Sequence, residues 1–248
     1  MKHPSFPVKT KLFLACLILA GVGAQPASAL EFRVLSWSGS LEHLSFDQAK
    51  KPVALVAHER SLSPVYALPA GEKLRLYRDT QIEGKIVRTP VAELVPPENM
   101  VRAILLLAQD ARGESPLAGT WIDDGDEAHP KGQIAFLNFA TTPVSIKVDA
   151  TVNVILPRGT QLHRFPADVS AVTVHFQAAV EKEGRAEFIA NCGLRVHPDY
   201  KILVLFRNGR ADPSSLSPDY IATPVEFLTF YDYIAPVVPG AKVAQYSR

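Results

Sequence analysis

The sequence predicts an all-β protein made of two tandem β-sandwich domains that arose by internal duplication. Three observations lead to this fold class. Apolar and polar residues alternate over short windows, which is typical of half-buried strands. Turn-forming residues recur about every ten positions, and no window of about a dozen residues carries a helical stripe. Finally, one order of strands and turns occurs twice along the 248-residue chain.

The strand prediction rests on two kinds of pattern. In "EKLRLYRD" the apolar residues Leu74 and Leu76 fall on one face, and Lys73, Arg75 and Tyr77 fall on the other. Such alternation predicts a strand with one face in the core. The runs "AILLLA", from Ala103, and "ILVLF", from Ile202, are continuously apolar and short. They predict central strands that are buried on both faces.

The internal repeat is visible as four matches in the same order, at an offset of about one hundred residues. The matched positions are Phe32 with Ile134, Tyr66–Tyr77 with His163–Phe176, Gly84 with Gly184, and Ala103–Ile122 with Ile202–Ile221. A further pairing, Trp121 with Tyr220, follows from the last match. The order of the matches indicates two copies of one domain. Each copy has about seven short strands in about one hundred residues, which fits an immunoglobulin-like sandwich in architecture.

These patterns divide the chain into five parts. The predicted parts are a signal peptide at 1–29, β-sandwich domain 1 at 30–124, an acidic linker at 125–133, β-sandwich domain 2 at 134–235, and a C-terminal tail at 236–248.

The signal peptide is predicted from a lysine-containing start, the apolar run "LFLACLILAGVGA" and the small residues "ASA". Cleavage is expected after Ala29, and the processed protein is expected in the periplasm or outside the cell, without membrane insertion.

The segment "LPAGEKLRLY", a turn followed by an alternating strand, resembles an element of bacterial envelope proteins with tandem immunoglobulin-like or transthyretin-like modules. The resemblance covers about a dozen residues in each copy. It implies an extracytoplasmic β-module, and it transfers no functional residue to this chain.

Charge and cysteine content exclude several classes of function. The chain carries 26 Lys and Arg against 25 Asp and Glu and has no long basic run. Nucleic acid and anionic lipid are therefore poor partners. Only Cys192 remains after signal cleavage, so no intrachain disulfide is expected. Its apolar neighbours in "FIANCGLRV" predict a buried small side chain.

The stretch "WIDDGDEAHPKG" concentrates four carboxylates between the two predicted domains. They belong to Asp123, Asp124, Asp126 and Glu127. The first interpretation is a solvated linker. The alternative is a calcium site that stiffens the joint, because Ca²⁺ takes six to eight oxygen ligands. The EF-hand pattern is not met, and no other cofactor is predicted.

A catalytic constellation is not recognisable in the sequence. The histidines form neither His-x-His nor His-Glu-x-x-His, and "WSGSL" lacks the Gly-x-Ser-x-Gly spacing of a nucleophile elbow. The protein is therefore predicted not to be an enzyme.

A binding signal comes from the aromatic segment "EFLTFYDY". Strand alternation places Phe227, Tyr231 and Tyr233 on one face. This face either packs on domain 2 or binds a glycan or a protein.

The sequence thus predicts an exported, non-enzymatic binding or assembly module of the cell envelope. One alternative is a pilus-type periplasmic chaperone that donates an edge strand to a client, for which Met100–Gln109 is the candidate. Another is a hydrolase whose active site is not recognisable.

Overall fold

The computed structural model describes residues 29–37, 39–109, 116–166, 170–209 and 225–234. Within these ranges the chain forms sixteen β-strands and no helix. The predicted signal peptide, apart from Ala29, and the predicted tail lie outside the described residues. The described residues contain no helix that is long and apolar enough to cross a membrane.

The first eight strands are β1 Leu30–Ser36, β2 Leu41–Gln48, β3 Lys51–Ala57, β4 Tyr66–Leu68, β5 Leu74–Ile82, β6 Lys85–Leu94, β7 Arg102–Gln109 and β8 Leu117–Asp123. The other eight are β9 Ile134–Asn138, β10 Val144–Val148, β11 Thr151–Ile155, β12 Thr160–His163, β13 Val172–Lys182, β14 Arg185–Val196, β15 Tyr200–Asn208 and β16 Val225–Tyr233.

The strands form four four-stranded sheets that stack in layers. The first half of the chain forms an outer sheet, β3-β2-β5-β6, and an inner sheet, β4-β1-β7-β8. The second half forms an inner sheet, β12-β9-β15-β16, and an outer sheet, β11-β10-β13-β14. Each half is thus a pair of packed sheets, which confirms the all-β prediction and is consistent with a β-sandwich.

Three apolar layers hold the stack together. The first outer and inner sheets enclose a core that contains Phe32 and Phe46. The second pair of sheets encloses a core with Phe136 and Phe176. A third core lies between the two inner sheets and contains Leu35, Ile104, Leu106, Ile122, Ala135, Leu137, Leu203, Leu205 and Phe230. The two halves therefore pack face to face through their inner sheets.

The third core explains the continuously apolar strands. In β7 the residues Ala103–Leu107 are all buried, and in β15 the residues Lys201–Arg207 are all buried. Both strands lie inside their sheets and have a core on each face, as the runs "AILLLA" and "ILVLF" predicted.

The two halves have the same strand order and the same sense of pairing. In each inner sheet the first strand pairs in parallel with the seventh, as β1 with β7 and β9 with β15. The turns between β5 and β6 and between β13 and β14 are both Glu-Gly, with positive φ at Glu83, Gly84, Glu183 and Gly184. Such a two-residue turn matches the twist of the hairpin strands.

One sequence pairing differs from this topology. In the second half, β16 takes the place that β8 has in the first half. The sequence match paired β8 with a segment that ends at Ile221, whereas β16 begins only at Val225. Tyr220, the proposed counterpart of Trp121, lies outside the described residues.

The structure also corrects the choice of Met100–Gln109 as a donated edge strand. This segment contains β7, which pairs with β1 on one side and with β8 on the other. A strand with two partners and a buried centre has no free edge to offer.

Candidate functional site

The acidic stretch lies at the junction of the two inner sheets, and its four carboxylates have different environments. Asp123 accepts a hydrogen bond from the backbone N–H of Gly125 at 2.8 Å, which is a local turn contact. Glu127 is exposed. Asp124 is buried, and Asp126 contacts a buried lysine. The structure therefore differs from the expectation of a fully solvated linker.

Asp124 is surrounded by cationic groups and a histidine. Its Oδ2 lies 3.1 Å from Arg33 Nη2 and 3.8 Å from Arg102 Nη2. Its Oδ1 lies 3.3 Å from His129 Nδ1 and 3.6 Å from Lys201 Nζ, without an aligned hydrogen bond. Burial raises the pKa of Asp124, but the contact with His129 and the charges of Lys201 and Arg33 outweigh it. The net pKa lies below its ordinary value.

Lys201 is the most deeply buried cation of this group, because no part of its side chain is exposed. Its Nζ donates to the carbonyl oxygen of Asp124 at 2.7 Å and lies 3.1 Å from Asp126 Oδ1. The hydrogen bond and the charge of Lys201 lower the pKa of Asp126. A lysine from one half thus binds both a backbone and a side-chain oxygen of the connecting segment.

Arg33 completes the group by bridging the two inner sheets. Its guanidinium, on β1, binds Asp124 after β8 and Asp232 on β16. We call this group the interface charge cluster; it comprises Arg33, Arg102, Asp124, Asp126, His129, Lys201 and Asp232. Three carboxylates face two arginines and one lysine, so the formal charges of these six side chains balance.

The cluster bears directly on the calcium hypothesis. Asp124 and Asp126 already face Lys201 and two arginines, whose positive charges oppose the approach of a further cation. Among the described residues there is no group of three or more His, Cys, Asp or Glu arranged to hold a metal ion.

The pair formed by His129 and Asp124 has part of the geometry of a hydrolase site. In such a site the second ring nitrogen of the histidine faces a nucleophilic hydroxyl or thiol. Here His129 Nε2 lies 3.1 Å from the backbone carbonyl oxygen of Ile202. The histidine therefore joins a carboxylate to the backbone and cannot activate a nucleophile in this arrangement.

A second ionic group connects the inner sheets farther along the interface. Arg207, on β15, binds Glu226 on β16 and Glu59 of the β3–β4 loop, each at 3.0 Å. It also donates to the backbone carbonyl oxygen of Trp37. The central apolar core is thus flanked by buried charges at two places, which fixes how the halves meet.

The sequence-predicted aromatic face separates into two environments. Phe227 packs against the second core and lies 5.9 Å from Phe176, measured between ring centroids. Tyr231 and Tyr233 are 46% and 55% exposed. Phe227 therefore packs on the core of the second half, whereas the two tyrosines lie on the surface.

Tyr231 and Tyr233 line an open pocket of about 700 Å³ between β14 and β16. Its lining is formed by Arg195, His197, Asp199, Tyr200, Tyr231 and Tyr233, and we call it the tyrosine pocket. Tyr200 lies opposite Tyr233 in the β15–β16 ladder, and their ring centroids are 5.4 Å apart. The rings of His197 and Tyr200 are nearly perpendicular, with centroids 5.5 Å apart.

Backbone hydrogen bonds hold the rim of this pocket in place. The N–H of Tyr200 donates to the carbonyl oxygen of His197 at 3.0 Å, and this bond closes a tight turn. The N–H of Ile234 donates to the carbonyl oxygen of Asp199 at 2.9 Å, which ties the turn to the end of β16. Tyr231 and Tyr233 share a face because they are two residues apart on a strand.

Sequence reasoning missed the other half of this pocket. Tyr200, His197 and Asp199 come from "HPDY", which reads as an ordinary proline turn before a strand. Only the antiparallel pairing of β15 with β16 brings this turn beside Tyr233. Cys192, predicted to be buried, is partly buried against the second core, and burial raises the pKa of its thiol.

No protein-family model matches the chain, and no curated protein sequence is significantly similar to it.

Proposed function

We propose that the protein is an exported, non-enzymatic binding module of the cell envelope that binds a glycan in the tyrosine pocket. The observation that carries the proposal is the pocket itself. Exposed tyrosine rings and three different polar side chains converge in a concavity of about 700 Å³. Pockets of a few hundred to a thousand cubic ångströms, with apolar walls and few polar groups, are typical of small-ligand sites.

The chemistry of the lining fits a sugar ring. The C–H faces of a pyranose pack on aromatic rings, and Tyr231 and Tyr233 are each about half exposed. Sugar hydroxyls both donate and accept hydrogen bonds. Arg195 supplies donors, Asp199 supplies acceptors, and His197 can supply either. The pocket thus combines stacking surface with both kinds of hydrogen-bonding group.

Export and duplication complete the proposal. The basic start, the apolar run and "ASA" support cleavage after Ala29, and β1 begins at Leu30. N-terminal sequencing of the protein from an envelope fraction tests this, because the first residue should be Leu30. The common strand order supports the origin of both halves from one immunoglobulin-like sandwich.

The glycan proposal is tested by applying the purified protein to an array of bacterial cell-wall and capsular oligosaccharides and measuring the best binder by titration calorimetry. We expect Tyr231→Ala and Tyr233→Ala each to weaken binding about tenfold, which corresponds to about 1.4 kcal/mol. The matched control is Phe188→Ala, because Phe188 is an exposed aromatic residue of β14 that does not line the pocket.

Two results would contradict the proposal. One is that no oligosaccharide binds. The other is that the best oligosaccharide binds the double variant Tyr231→Ala/Tyr233→Ala as tightly as it binds the unchanged protein. If a protein binds the pocket instead, with the same dependence on the two tyrosines, the site stands and its ligand class is wrong.

A further inference from the structure

The two inner sheets separate along one side of their interface and leave a second, independent site. A cleft of about 750 Å³ lies between β8, at the edge of the first inner sheet, and β12, at the edge of the second. Its floor is formed by Ile122, Leu137 and Leu203, all of which belong to the central core. The exposed residues Thr120 and Thr160 stand on its two walls. We call it the β8–β12 cleft.

The equivalent region on the other side of the interface is occupied by the chain itself. The β3–β4 loop, residues 58–65, runs beside β1, where the N–H of Ser63 donates to the carbonyl oxygen of Val34 at 3.0 Å. The loop packs Leu62 against the central core and brings Glu59 to Arg207. In the second half, the corresponding β11–β12 loop is only residues 156–159. It is four residues shorter than its counterpart, and the cleft is open at this place.

The cleft is bordered by groups that an extended chain can use. Among the residues that the structure describes, β8 pairs only with β7 and β12 pairs only with β9, so within that part of the chain each offers a free edge. Arg158 lies at the mouth of the cleft, is exposed, and has no ion pair with any described residue. A peptide that adds as a strand to a sheet edge gains affinity from backbone hydrogen bonds and specificity from side-chain pockets beside the edge.

We propose that the β8–β12 cleft binds an extended segment of a partner protein. The segment adds to the free edge of β8 and inserts an aliphatic side chain between the inner sheets, in the way that Leu62 fills the opposite side. It also places a carboxylate on Arg158, as the β3–β4 loop places Glu59 on Arg207. The occupant is therefore an extended peptide with alternating aliphatic residues and one acidic residue. This proposal is independent of the glycan site.

The test uses the purified protein as bait for a display library of random peptides of about ten residues, long enough for one strand. The variant Thr120→Trp, whose larger side chain fills the cleft, is used to remove peptides that bind elsewhere on the protein. We expect the enriched peptides to share alternating aliphatic residues and an acidic position. Hydrogen exchange should show that the dominant peptide protects the amides of β8 and leaves those of the outer edge strand β6 unchanged.

A second variant keeps the test informative if Thr120→Trp folds poorly. Arg158→Glu changes an exposed residue, and we expect it to weaken the dominant peptide about tenfold or more. Tyr233→Ala is the matched control in the other pocket and should leave peptide binding unchanged. The proposal is overturned if no peptide is enriched, if Arg158→Glu binds as tightly as the unchanged protein, or if the protected amides lie outside β8.

Discussion

Replacement of Lys201 by methionine tests whether the interface charge cluster stabilises the contact between the two halves. Methionine keeps most of the unbranched stem but removes the ammonium group. The change removes the 2.7 Å hydrogen bond to the carbonyl oxygen of Asp124 and the ionic contact with Asp126. It also leaves Asp124 with one cation fewer in a buried environment.

The magnitude follows from these losses. Removing one partner of a buried ion pair costs about 3–5 kcal/mol, because the other charge stays buried. Two features place the expected cost of Lys201→Met at the lower end of this energy range. The side chain of Asp126 is 74% exposed and regains water, and Asp124 keeps Arg33 at 3.1 Å. We therefore expect a loss of about 3 kcal/mol in the free energy of unfolding. For a chain of this size the midpoint of thermal unfolding should fall by about 6–12 °C.

The assay is urea unfolding at neutral pH, followed by tryptophan fluorescence and by circular dichroism. Trp37 packs against the central core and Trp121 against the first core, so both report on the first inner sheet. The matched control is Lys147→Met, an exposed strand lysine, which should change stability by no more than about 0.5 kcal/mol. A loss below about 1 kcal/mol for Lys201→Met would refute the reasoning.

Two further predictions concern the same cluster. Because the pKa of Asp124 lies below its ordinary value, its charge stabilises the fold above about pH 4, and this contribution is lost as pH falls through the lower folded pKa. The stability difference between the unchanged protein and Asp124→Asn should therefore be constant near neutral pH and shrink below about pH 4. Urea unfolding between pH 7 and pH 3 measures it, and a difference that grows towards pH 3 would contradict it. Millimolar calcium should not raise the thermal midpoint above its value in chelator, because Lys201 and Arg102 face the carboxylates. A rise of several degrees that is absent when Asp124 and Asp126 are replaced by Asn would contradict this prediction and support the calcium hypothesis.

Local patterns were sufficient to predict the strands, because alternation and apolar runs depend only on which faces of a strand are buried. The run "AILLLA" predicted burial on both faces of β7, and the structure confirms it. The same pattern does not specify which surface covers the second face. The second face of β7 packs on the inner sheet of the other half, and no local feature of either strand encodes that partner.

The residues of the proposed tyrosine pocket were predictable only where one strand brings them together. Tyr231 and Tyr233 are neighbours on β16, so alternation alone identified their common face. Tyr200 lies thirty-one residues before Tyr231 and joins them only through the β15–β16 pairing. The burial of Asp124 was not predictable for the same reason. Its partners Arg33 and Lys201 lie far away along the chain, and an acidic stretch without visible partners indicates solvent exposure.

Comparison of the two halves shows where sites can arise in this architecture. Aligned by their strand pairings, the inner sheets place Asp124 and Asp232 at equivalent positions, and likewise Arg102 and Lys201. In the interface both aspartates bind Arg33, and both of these cations contact Asp124. The same alignment places Tyr231 at the position of Asp123. The charged positions that the two halves share therefore form part of the contact between them. The tyrosine pocket and the β8–β12 cleft lie where the halves differ, the first in side chains and the second in the length of one loop. A surface that the common fold does not need is free to carry binding, and both proposed sites occupy such a surface.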